Sequence, residues 1–153
     1  MDELEKVVSF VMDKSRNIID SGDTHEPIML IITPESVHTV GLYNMNKDTF
    51  CDAMTDLFRQ FHAYAYVFIN EAWQAKIKKD SPLILKLNSG KITVQDLPPD
   101  DKEEILTITA VENGLSYRCY EANIKYTKSG NRYLDKWKEL KGNVTGRMVI
   151  KEW

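Results

Sequence analysis

Between Leu4 and Ile19 the apolar residues Leu4, Val7, Val8, Phe10, Val11, Ile18 and Ile19 recur at helical spacing, with Asp2, Glu3 and Glu5 at the anion-favouring end. The pattern predicts an amphipathic helix, and Gly22 suits the left-handed residue that commonly ends one. After Pro27 the period changes. Ile28 to Thr33 is a short apolar run rich in β-branched residues and closed by Pro34, which reads as a buried strand. Val37 to Tyr43 returns beside it as an antiparallel partner. Asn46 can cap a second helix, in which Phe50, Cys51, Met54, Leu57, Phe58 and Phe61 share one side.

Ala63 to Trp73 alternates with period two. Ala65, Val67, Ile69, Glu71 and Trp73 fall on one face, and Tyr64, Tyr66, Phe68, Asn70 and Ala72 on the other. Both faces are largely apolar, which predicts a central strand. Residues 76–101 carry Pro82, Gly90, Pro98 and Pro99 among charges, and read as an excursion with short local structure. Glu104 to Glu112 is a strand, and Asn113-Gly114 predicts a two-residue type I′ turn. That turn sets Glu112 opposite Leu115, Ile108 opposite Cys119, Thr109 opposite Arg118 and Thr107 opposite Tyr120. Ile108, Ala110, Tyr117 and Cys119 then form a packed face, and Thr107, Thr109, Arg118 and Tyr120 a wet one. Thr127 to Asn131 is a turn, and Arg132 to Leu140 a further short strand or helical turn; Gly142 to Trp153 shows no assignable pattern.

The order αββαβ, then a hairpin and C-terminal strands, predicts an α+β fold. It is a mainly antiparallel sheet of about five or six strands with both helices packed on one face. Tyr64, Tyr66 and Phe68 would then leave an apolar patch on the other face unless the excursion covers it.

At 153 residues, 42% apolar and 28% charged, the chain has the size and composition of one globular domain spanning residues 1–153, and not of a disordered chain. No run reaches the roughly 18 apolar residues of a membrane span, and the first residues show neither a basic leader nor an apolar signal core. Together these predict a cytoplasmic protein without membrane association. Cys51 and Cys119 lie far apart without metal-ligand neighbours, so buried reduced thiols are expected and neither zinc nor any other cofactor. The sequon at Asn143 means nothing without a secretory route. Residues 1–115 hold 11 Lys/Arg against 19 Asp/Glu, net −8; residues 116–153 hold 9 against 4, net +5. Basic residues interleaved with aromatics can hold single-stranded nucleic acid. The acidic remainder and the habit of decorating edge strands with Lys and Arg argue against that use.

The chain has no phosphate-cradling glycine loop, no Gly-x-Ser-x-Gly elbow and no paired zinc-ligand motif. His25 beside Glu26 and His62 at the end of the second helix suit structural roles. His38 shares parity with Val40 and Leu42, and Glu71 with Val67 and Ile69; each polar group therefore sits on an apolar face, a placement that marks either a strand end or a site. Phe68-Ile69-Asn70-Glu71-Ala72-Trp73, followed by Pro98-Pro99-Asp100-Asp101-Lys102-Glu103-Glu104, resembles small conserved proteins of unknown function over residues 64–115, and the resemblance implies no activity. Two functions from different classes are expected. The first is a binding or accessory module, homodimeric or meeting a protein partner through a sheet face or edge. The second is a small hydrolase or ligand-binding enzyme with Glu71 in a pocket, and Trp73, His38 and Arg118 as its companions.

Overall fold

The computed structural model describes residues 2–43, 45–140 and 149–153, so the Asn143 sequon lies outside the described residues. The fold is α+β with an antiparallel sheet, in the element order that the sequence predicts. Helix α1 spans Glu3–Asp20, opened by a capping box in which the Asp2 carboxylate accepts the Glu5 amide and the Glu5 carboxylate accepts the Asp2 amide. Strands β1 (Ile28–Ile32) and β2 (Val37–Gly41) form a hairpin, and α2 (Lys47–Gln60) starts from the Asn46 cap. Strand β3 (Ala65–Ala75) is followed by the excursion, which holds a short helix α3 (Leu83–Asn88) and two 3-10 turns, Val94–Asp96 and Pro99–Asp101. The long hairpin β4 (Lys102–Glu112) and β5 (Ser116–Tyr126) comes next, then β6 (Arg132–Leu134) and β7 (Lys138–Leu140).

The described residues make a seven-stranded sheet of order β2-β1-β3-β4-β5-β6, where five or six strands were expected. The extra strand is a division. β6 and β7 share one edge of β5, with registers that differ by one residue, so Arg132 to Leu140 is a single edge segment interrupted by a bulge.

The helices do not share a face. Leu4, Val8, Val11 and Ile19 of α1 pack with Ala65, Val67, Ile69, Leu106 and Ile108, whereas Phe50, Met54 and Phe58 of α2 pack with Met29, Ile31, Tyr66 and Phe68. Alternation along β3 separates these two sets, so each helix covers the face that the other leaves open. Tyr66 and Phe68 are consequently buried, and the excursion is not what covers them. Beside α2, Trp153 lies 4.7 Å from the Phe58 ring and 5.7 Å from the Tyr66 ring, and Tyr66 Oη donates to the Ile150 carbonyl at 2.9 Å.

The β4–β5 hairpin forms one residue out of the expected register. Glu112 faces Ser116, leaving Asn113, Gly114 and Leu115 in the loop, although the Leu115 amide still donates to the Glu112 carbonyl. A type I′ turn needs positive φ at both central residues; here only Gly114, at +69°, has it. The slip reverses the expected faces. Ile108 faces Tyr120 and Ala110 faces Arg118 beneath α1, while Cys119 faces Thr109 on the α2 side.

Candidate functional site

Asp20 at the end of α1 accepts the Leu134 amide of β6, yet the chain must next enter β1, four strand spacings away across the sheet. That distance is about 19 Å, and the eight intervening steps reach at most about 27 Å, so residues 21–27 cross the α1 face as a strap whose first residues are still wound on the helix end. Two side chains hold it. Arg132 donates to the Asp23 carbonyl at 3.0 Å, and the His25 amide donates to Glu71 Oε2 at 2.5 Å. Arg132 also pairs with Glu71 Oε1 and lies 3.6 Å from Glu104, which in turn accepts the Tyr126 hydroxyl at 2.9 Å. Burial opposes the guanidinium's charge, but the hydrogen bond and charge of Glu71 outweigh it, holding Arg132 above its ordinary pKa. The His25 ring is buried, with Nδ1 donating to the Glu26 carbonyl at 2.8 Å and Nε2 meeting Ser15 Oγ at 3.0 Å.

Among the described residues no backbone hydrogen bond joins the strap to β3. β1 pairs only with Ala65 to Ile69, and β3 continues to Ala75. The Lys76 amide donates to the Asp101 carbonyl, one step beyond the β3–β4 register, which puts even-numbered backbone groups of β3 on the β4 side. Alternation then turns N–H and C=O of Glu71, Trp73 and Ala75 toward the flank that β1 leaves, where they meet no hydrogen-bond partner among the described residues.

Two hollows line that open edge. One, about 550 Å³, lies between Asn70 to Trp73 and the turn Thr93 to Gln95, with Lys47 and Glu104 at its margins. The other, about 410 Å³, is bounded by Thr24 to Pro27, Leu42 and Met45; Lys47, Asn70 and Glu71 border both. Trp73 is partly exposed, with the Lys102 ammonium 4.6 Å from its ring centroid.

Of the side chains singled out from sequence, Glu71 and Trp73 come together at this edge. His38 and Arg118 do not join them. His38 stacks on Phe61 at 4.6 Å near the far edge of the sheet, and Arg118 bonds Glu5 of α1 at 3.2 Å. Sequence reasoning missed Arg132, the Glu71 partner, and Lys47 and Thr93 to Gln95, which border the groove. One available signal was length: the predicted strand Ala63 to Trp73 is far longer than Ile28 to Thr33, so an overhang follows once the two are seen to pair.

Cys119 is buried beside Thr109, and desolvation raises its thiol pKa, the setting of an inert cysteine. No three His, Cys, Asp or Glu side chains among the described residues are grouped to hold a metal ion, and no helix among them is long and apolar enough to cross a membrane.

No family model, curated protein or solved structure matches this chain.

Proposed function

We propose that this protein is a binding module that takes an extended segment of a partner protein as an added strand on the free edge of β3. The observation that carries the reading is the row of unpartnered backbone groups on Glu71, Trp73 and Ala75 beside a 550 Å³ hollow. Strand addition draws affinity from such main-chain groups and specificity from pockets that receive alternate side chains. Here residues of the added strand on one face meet Trp73 and Glu104, and those on the other meet Asn70 and Lys47. The hollow falls within the size range of ligand sites, roughly 300–1,000 Å³.

Recruitment through the aromatic sheet face loses its support, because α2 and the C-terminal residues bury Tyr66 and Phe68. An enzymatic use of Glu71 has less support than binding, since both carboxylate oxygens already serve the strap. Arg118 and Arg132 from the basic C-terminal part answer carboxylates in the acidic part, which favours a protein partner over nucleic acid in a cytoplasmic setting.

The test is selection of ten-residue peptides from a random display library on the whole protein, with Ala75→Pro as the counter-target. Proline removes an outward N–H without touching the β4 ladder. The reading expects enriched peptides of alternating pattern that bind Ala75→Pro at least tenfold more weakly, with the melting temperature kept. Peptides that bind both proteins equally, or no enrichment, would overturn it.

A further inference from the structure

The sheet has a second open edge, β2, whose chemistry differs from that of the groove. The Thr33 amide donates to the Ser36 carbonyl and the Leu42 amide to the Pro27 carbonyl, so even-numbered backbone groups of this strand face β1. N–H and C=O of Val37, Thr39 and Gly41 therefore point away from the sheet. Terminal edges are commonly guarded by charged residues or proline, and the opposite edge follows that habit with Arg132, Lys138 and Glu139. β2 reads Val-His-Thr-Val-Gly and has no such guard.

Large exposed apolar side chains flank this edge: Val37 (48% exposed), Tyr43 (62%) and Phe61 (37%). Tyr43 lies against Gly41 so closely that a Cβ there would come within 2.8 Å of its ring. The strand is also complementary to itself. When two copies run antiparallel about a two-fold axis at Thr39, Thr39 faces Thr39 of the second copy, and Val37 faces Gly41 with its Tyr43 cover. On the other face His38, stacked on Phe61, faces Val40. The absence of charge means that no like charges meet.

We propose that the protein pairs with a second copy of itself through β2, joining the two sheets into one and burying Val37, Tyr43 and Phe61. The contact is isologous, so it closes at two copies. One strand pair with its flanking rings falls short of the roughly 1,200 Å² of a standard stable interface, which predicts association in the micromolar range. The proposal rests on β2 alone and stands apart from the groove on β3.

Sedimentation from low micromolar to near-millimolar concentration tests it, together with amide exchange of the wild type at both ends of the range. The expected result is a mass rising from 17.7 kDa to twice that value, with slowed exchange at Val37, Thr39 and Gly41. Thr39→Lys sets two ammonium groups face to face at the axis, and Thr39→Pro removes an outward donor. Both are expected to stay monomeric with melting unchanged. A wild type that stays monomeric, a Thr39→Lys variant that pairs as well as wild type, or a dimer whose Val37, Thr39 and Gly41 amides are not slowed would overturn the proposal.

Discussion

Glu71 carries a carboxylate on the face that holds Val67 and Ile69, and its explanation lies 61 positions away in Arg132. Removing the charge by Glu71→Gln leaves a largely buried guanidinium with Glu104 as its remaining carboxylate and weakens the acceptor for the His25 amide. The expected cost is about 2 kcal/mol, read by urea denaturation. A loss below about 0.5 kcal/mol would mean that the strap holds without this pair. Alternation along β3 made Glu71 and Trp73 legible as unusual residues of one face. The strap was not legible, because it is set by where Asp20 ends and Ile28 begins across the sheet, a distance that no local pattern records.

Tyr66 offers a second check at this scale. Burial pushes its phenol up to about 12, partly offset by the hydrogen bond with Ile150. An unfolded tyrosine titrates near 10, so the unfolded chain loses its proton first and stability falls as pH rises from about 10 toward 12. Tyr66→Phe removes both the bond to the Ile150 carbonyl and the acceptor for the Ile150 amide. It is expected to cost about 1–2 kcal/mol near neutral pH and to flatten the alkaline limb between 10 and 12 in a melting series.

Among the elements, α2 ends with His62 at φ +55°, and the Ala63 amide donates to the Phe58 carbonyl in a Schellman closure. Gly22 closes α1 in the same way at φ +88°, as its place after the last apolar residue foretold. His62→Gly relieves the left-handed side chain and is expected to raise stability by about 0.5–1 kcal/mol in thermal melts. An unchanged or lowered melting temperature would mean that the His62 ring makes a compensating contact. The β4–β5 turn shows the limit of local signals. Asn-Gly names a hairpin correctly, but not its register, which sets Arg118 and Tyr120 beneath α1, where Arg118 bonds Glu5 and Tyr120 packs on the core. A one-residue slip reverses every side chain of a strand, so a small error in the turn moved Cys119 to the opposite face.

For the whole molecule, the decisive arrangement is one helix on each face of the sheet. Both faces of β3 are apolar in sequence, which marked it as central, but that pattern did not say how the two long helices divide, and placing both on one face was the wrong division. With both faces closed, the proposed recognition falls to the edges, and the overhang of β3 beyond β1 offers one with its own groove. Amide exchange along β3 tests that claim most directly. In the free protein, Glu71, Trp73 and Ala75 should exchange at least a hundredfold faster than Ala72 and Gln74, and a selected peptide should slow those three alone. Uniform protection from Glu71 to Ala75 in the free protein, or peptide binding that leaves the three amides fast, would contradict a receiving edge on β3.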